Sequence, residues 1–228
     1  MPIIRTEQLD KIYQDNGIPV HALQNITFNI ERGEFLAIAG PSGSGKTTLL
    51  NLIGALDRPS GGQIWFAGQD LAGLNKPALS ALRLHQIGFI FQAYNLIPVL
   101  SAVENVEFKL MLLGMPEADR RKQALAVLAH LGIGDLAHKR PNQMSGGQQQ
   151  RVAVARAIVN DPPIVLADEP TANLDSSTAH ALLDMMELMN REKNITFIFS
   201  SHDKQVLDHA RRVVWLRDGM IVQDGRPG

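Results

Sequence analysis

Two rhythms of apolar and polar residues run along this chain. FLAIAG (35–40) is an uninterrupted apolar run, short enough for a strand buried on both faces. A glycine-rich stretch follows it, and then KTTLLNLIGAL, which reads as a helix. ITFNI (26–30), GGQIWFAGQ (61–69) and IGFIF (87–91) read as strands. From about 93 to 160 the pattern turns helical. There EADRRKQALAVLAHLG places charges first, then an apolar face, with Gly132 as the stop. Strands return at IVLAD (164–168), TFIFS (196–200) and VVWLRDGMIV, where Asp218-Gly219 is a hairpin turn. The pattern predicts an α/β core with a helical insertion, without repeats or a low-complexity linker.

Composition narrows the class. With 228 residues, 45% hydrophobic and 20% charged, the chain has ordinary globular character and ample material for a core. A net charge of −1 offers no general basic field, so a nucleic-acid partner is not expected. Cysteine is absent, which removes disulfide and thiol chemistry. The first residues, MPIIRTEQLDKIY, lack the apolar segment of a signal peptide. The longest uncharged window, His85 to Val103, contains Gln86, Gln92, Asn95 and Pro98 and is too polar for a bilayer. A soluble chain is expected.

Gly40, Pro41, Ser42, Gly43, Ser44, Gly45, Lys46 and Thr47 spell G-x-x-x-x-G-K-[ST] between an expected strand and an expected helix. Glycines let the backbone curl so that successive amides point inward, and the helix N-terminus adds positive potential. Lys46 supplies a charge for the β- and γ-phosphates, and Thr47 a hydroxyl for Mg²⁺. IVLADEP ends an apolar strand in two acids: Asp168 suits a magnesium carboxylate and Glu169 a general base. Gln92 and His202 close further strands, at the edge where open α/β sheets bind ligands. Gln92 there reads as a metal or water contact, or as a solvated loop residue. Tyr13 reads equally as an adenine platform or as core.

MSGGQ (144–148) poses a question. Ser145 and Gln148 make a capping box without help. Gly146 and Gly147 then cost the first turn about 1 kcal/mol each against alanine. Bare amides at a helix N-terminus let an anion approach closely, so this is read as a second phosphate site, about 100 residues after the first.

GPSGSGKT, Gln92, MSGGQ, IVLADE, ANLD (172–175) and SSHD (200–203) together resemble the nucleotide-binding subunit of ABC transporters over essentially the whole chain. FQAYNLIPVLSAVENVEF looks closest to the LolD/MacB group. The resemblance implies a P-loop NTPase, a RecA-like core with an N-terminal antiparallel β subdomain and a helical insertion specific to the family. It implies one domain over 1–228, with core segments 1–92 and 160–228 and a helical subdomain 93–159. It implies an ATPase using ATP and Mg²⁺, with Thr47, Gln92 and Asp168 at the metal and Glu169 and His202 catalytic. Nucleotide contacts would extend to Tyr13, Thr48, Ser145, Gly146, Gly147, Gln148 and Asp175. It further implies a head-to-tail homodimer and an integral membrane permease docking near Gln92–Leu100. The chain would then sit peripherally on the cytoplasmic face of the inner membrane. An FtsE-like clamp that transports nothing would carry the same motifs. Met144, Ala172 and Ser201 depart from the commoner Leu, Gly and Thr, and none of the three removes a catalytic group.

Overall fold

The computed structural model describes residues 1–226. The chain opens with β1 (Ile4–Asp15) and β2 (Ile18–Ile30). They form an antiparallel sheet with β4 (Gly61–Phe66) and the short β5 (Gln69–Asp70), in the order β2-β1-β4-β5. The second sheet contains β3 (Phe35–Ala39), β6 (Ile87–Ile90), β7 (Ile164–Asp168), β8 (Thr196–Ser200), β9 (Arg212–Arg217) and β10 (Met220–Gly225). Its order is β10-β9-β3-β8-β7-β6, parallel except for the β9–β10 hairpin. The helices are α1 (Lys46–Ile53), α2 (Lys76–Gln86), α3 (Ala102–Leu112), α4 (Glu117–His130), α5 (Gly146–Ile158), α6 (Ser176–Lys193) and α7 (Lys204–His209).

The apolar runs are strands buried on both faces, and they divide two cores between them. Phe35, Ala37 and Ala39 of β3 face one core with Phe197, Phe199, Val165 and Ala167. Leu36 and Ile38 face the other with Ile198, Ile164 and Leu166. The first core continues into α3, α4 and α5 through Val106, Leu128 and Val152. The second takes in α1 through Leu49 and Ile53, and the antiparallel sheet through Ile4, Leu9 and Ile30.

Local chemistry explains most helix starts. Ser101 and Glu104 form a capping box at α3, and Asn75, Asp175 and Asp203 cap α2, α6 and α7 with side-chain oxygens. Among the described residues, no helix is long and apolar enough to cross a membrane.

The stretch between β6 and α3 is irregular, and its four apolar residues separate. Leu96 packs against the first core, Ile97 and Leu100 are half-buried, and Val99 is 71% exposed. Leu96 is itself only partly buried, so part of it packs and part stays open. Asn105, fully buried on α3, holds the stretch. Its Oδ1 accepts from the Ile97 amide at 2.8 Å, and its Nδ2 donates to the carbonyls of Ile97, Leu100 and Ser101 at 3.2, 3.1 and 3.0 Å.

Asn105→Ala leaves those groups without their partner in a closed space. Urea denaturation should show a stability loss of roughly 1–3 kcal/mol, with the slope unchanged. An unshifted midpoint would mean that the surrounding backbone holds its shape unaided.

Candidate phosphate-binding and hydrolytic site

The site forms where parallel strands end at one level. Ile38 pairs with Ser200, Ser200 with Asp168, and Ala167 with Ile90. The residues just beyond, Gly40, Gln92, Glu169, Ser201 and His202, therefore gather along the C-terminal edge of the sheet. The loop after β3 curls over this edge into α1. Gly45 has a φ of 101°, and a Cβ there would meet the Ala22 carbonyl oxygen at 2.5 Å, so only glycine fits under β2. The Lys46 ammonium folds back on its own loop and donates to the Gly40 and Pro41 carbonyls at 2.9 and 3.0 Å.

Thr47 Oγ1 lies 3.1 and 3.3 Å from the two oxygens of Asp168, joining the loop to the end of β7. Glu169 follows with a φ of 46°, a left-handed conformation uncommon for this residue type. Its amide donates to the Ser200 carbonyl at 2.9 Å. Both carboxylate oxygens are oriented by the end of β8: Ser201 Oγ donates to Oε2 at 3.0 Å, and His202 Nδ1 lies 2.8 Å from Oε1. Ser201 is fully buried, whereas His202 is exposed.

A cleft of about 440 Å³ covers these groups. It brings together Ser42, Gly43, Gly45, Lys46, Thr47, Thr48, Gln92, Glu169 and His202, with Val20, His21 and Ala22 of β2 as its far wall. That wall was not readable beforehand, because it arrives through the β1–β2 ribbon and carries no motif. Gly40, Pro41 and Ser44 belong to the loop itself, and the Ser44 hydroxyl is buried without a partner among the described residues. Tyr13 does not line the cleft. It pairs with Val20 across the ribbon, and its hydroxyl donates to Asp57 at 2.8 Å while Lys11 lies over its ring. Burial, then the Asp57 contact, raises the phenol above its ordinary range.

Ser145, Gly146, Gly147 and Gln148 lie outside this cleft, at the start of α5. The capping box is present, with Gln148 N donating to Ser145 Oγ at 3.3 Å and Ser145 N to Gln148 Oε1 at 2.9 Å. The glycines also have a packing reason that the sequence did not disclose. A Cβ on Gly147 would stand 2.4 Å from Thr178 Cγ2, and one on Gly146 would stand 2.8 Å from the Tyr94 hydroxyl. A side chain at 147 therefore disturbs the contact between α5 and α6 before it meets any phosphate. Asp175, at the start of α6, takes the Ser177 and Thr178 hydroxyls at 2.6 and 2.7 Å and the Thr178 amide at 3.0 Å. These bonds hold its carboxyl well below the usual carboxylate range.

A second concavity, about 380 Å³, opens between the sheet and the helical insertion. Leu56, Leu84, Phe89, Phe91, Phe108 and Leu112 line it, with Lys109 and Arg156 at its floor. Only Asn95 comes from the 93–100 stretch; most of the rest of the lining comes from α2, β6, α3 and α5.

The ABC transporter family model matches residues 23–172. The macrolide export ATP-binding/permease protein MacB of Hyphomonas neptunium is 46% identical over 223 residues, which are 98% of this chain and 34% of that protein. The chain thus spans about a third of the length of such relatives. Among solved structures, a dimeric bacterial ABC transporter cassette is 41% identical with a TM-score of 0.91, covering 99% of both chains. Its post-hydrolysis form, bound to ADP and phosphate, matches at 40% identity with a TM-score of 0.91 and the same coverage.

The groove carries a pH signature. Burial, then the charge of Arg156, brings the Lys109 ammonium down from 10.5 to about 8. The folded chain holds this proton more weakly than the unfolded chain does. Below pH 8 both states keep it and the burial cost is fully present; between about 8 and 10.5 the folded state sheds it first and gains stability. Lys109→Met removes the group. The excess stability of the variant over the parent should therefore shrink by on the order of 3 kcal/mol across that window in urea titrations. Parallel pH profiles would show that Lys109 stays hydrated.

Proposed function

The chain belongs to the ABC transporter family, and from that premise we propose that it is the motor of a LolD/MacB-type transporter, driving export, efflux or lipoprotein extrusion through an integral membrane permease. As a family member it is an ABC-type ATPase that binds and hydrolyses ATP. One observation carries the mechanism: Thr47 on Asp168, and Glu169 oriented by Ser201 and His202, stand side by side at one sheet edge.

The loop amides and Lys46 hold the triphosphate. Lys46 exchanges two neutral carbonyl partners for phosphate oxygens, which make stronger charge-assisted bonds. The Thr47 hydroxyl, the Asp168 carboxylate and the Gln92 amide oxygen form a hard oxygen set that fits magnesium. Mg²⁺ bound there supplies positive charge to the β- and γ-phosphates. Glu169 retains lone pairs beyond those used by Ser201 and His202, and accepts a proton from the attacking water. The water oxygen bonds to the terminal phosphorus as the bond to the β–γ bridging oxygen breaks, leaving ADP and phosphate. With its Nδ1 on Glu169, His202 presents Nε2 toward the γ-phosphate.

The start of α5 lies apart from the cleft of its own chain, which supports completion of the site by Ser145–Gln148 of a second copy. The product is a head-to-tail homodimer with two composite sites, closed by Asp175 near the contact. The apolar groove, bordering the Gln92–Leu100 stretch at Asn95, receives a short amphipathic segment of the permease, a standard helix-in-groove mode. The dimer then lies on the cytoplasmic face of the membrane.

Glu169→Gln keeps size and hydrogen bonding but removes the base. Turnover should fall roughly 10²–10⁴-fold, while light scattering shows the mass doubling with ATP and Mg²⁺ and reverting without them. Nucleotide binding without any mass increase would defeat the shared-site reading.

Phe108→Glu and Leu112→Glu, at exposed groove positions, should keep the melting temperature and basal ATPase. Both should lose copurification with the permease and its stimulation of turnover. Retained copurification would move the docking surface elsewhere.

A further inference from the structure

Helices α6 and α7 pack together, and both begin beside the hydrolytic machinery. Asp175 caps the first, and the second starts two residues after His202. His180 and Asp184 lie one turn apart on α6 and share a face. His209, the last residue of α7, meets them. Asp184 Oδ1 lies 3.1 Å from His209 Nε2, and Asp184 Oδ2 lies 3.7 Å from His180 Nε2. The two imidazoles stand 4.8 Å apart at 70°. One ligand atom from each residue lies within 4.8 Å of the other two.

Hydrogen bonding fixes the His209 tautomer. Its Nδ1 lies 2.8 Å from the Gln205 carbonyl oxygen, which can only accept, so Nδ1 carries a proton. The neutral ring then turns a bare Nε2 lone pair toward the Asp184 carboxylate, acceptor against acceptor. A second proton on the ring or a cation between the two resolves this. A second proton satisfies the His209–Asp184 contact alone, whereas a cation there also takes in His180 as a third ligand. An Nδ1–H bonded to a backbone carbonyl is also the usual support of a metal-binding histidine. His180 and Asp184 are exposed, which leaves a path for the ion and room for water. Glu187, nearby on α6, is committed to Arg191 and Arg211 and does not compete.

We propose that His180, Asp184 and His209 form a Zn²⁺ site with water in the fourth position. A tetrahedral ion with bonds of 2.0–2.1 Å separates its ligand atoms by about 3.3 Å. The 3.1 Å edge from His209 to Asp184 Oδ1 already matches; His180 now stands 3.7 Å from the other oxygen, Oδ2, and small rotations of the exposed Asp184 carboxylate and His180 ring bring all three ligand atoms onto one ion. Two imidazoles with one carboxylate select zinc over magnesium or calcium, so the site is separate from the Thr47–Asp168 pair. Its occupant ties the segment after His202 to the helix that Asp175 caps.

The test uses the full-length chain without an affinity tag, with Mg²⁺ present throughout. Zn²⁺ is titrated against a chromogenic chelator, and melting is followed in parallel. The parent should take up one Zn²⁺ per chain and melt at a higher temperature with it. H180A and D184N, both at exposed positions, should each lose stoichiometric uptake and the thermal shift, while H202A keeps both. No stoichiometric uptake by the parent, uptake that survives H180A and D184N, or uptake lost only in H202A would overturn the site.

Discussion

The level at which the parallel strands stop governs the chemistry of this chain. Ser200 stands opposite both Ile38 and Asp168, and Ala167 stands opposite Ile90. That register is fixed by burial on two sides. A slip of one residue in β3 would send Phe35, Ala37 and Ala39 into the core built for Leu36 and Ile38. Two well-filled cores thus hold Thr47 against Asp168, and Ser201 and His202 against Glu169. The packing does the positioning, and the polar groups at the edge bond to one another around the cleft.

Signals confined to a few neighbouring residues were legible in the sequence. The runs at 35–40, 164–168 and 196–200 became β3, β7 and β8, and the loop between β3 and α1 lies where GPSGSGKT stands. Signals that depend on distant partners were not. Helix α2 is not marked in the pattern because only Leu79 of its residues is buried, which leaves little apolar periodicity. Leu96 and Val99 look alike in sequence, and only the shape of the loop held by Asn105 makes one packed and the other exposed. Tyr13 meets Asp57, 44 residues away, and no local rule announces such a pair.

The two glycines of MSGGQ show how a helix cap can leave amides open for the ligand proposed there. The box satisfies the amides of Ser145 and Gln148. Those of Gly146 and Gly147, in the first turn, have no intrahelical acceptor. The absence of side chains serves a second purpose, because Gly147 lies directly against Thr178. Thr178 is in turn pinned by Asp175, whose carboxyl its bonds keep ionised. The start of α5 therefore rests on the cap of α6, and a change at Asp175 reaches the bare amides through a single side chain.

Helix α5 joins the two concave surfaces. Its N-terminus carries Ser145, Gly146 and Gly147, and its other end brings Arg156 and Ala157 to the apolar groove. Thirteen residues at 1.5 Å each make a rod of about 20 Å. Val152, Ala155 and Ile158 seat the rod in the first core, beside the α3 and α4 residues Val106 and Leu128. Its ties to the strand-end loops are polar and directed at backbone carbonyls: Gln150 donates to Pro170 at 2.8 Å, and Arg156 to Tyr94 and Asn95 at 2.8 and 2.5 Å. Asn173 likewise donates to the Gln92 carbonyl at 2.9 Å, next to the loop that Arg156 grips. The charged Arg156 and the fully buried Gln150 make these ties worth roughly 1–3 kcal/mol each, so the two ends of α5 are fixed to the loops around them. On the proposed reading, a phosphate at one end and a docked segment at the other would act on this one helix.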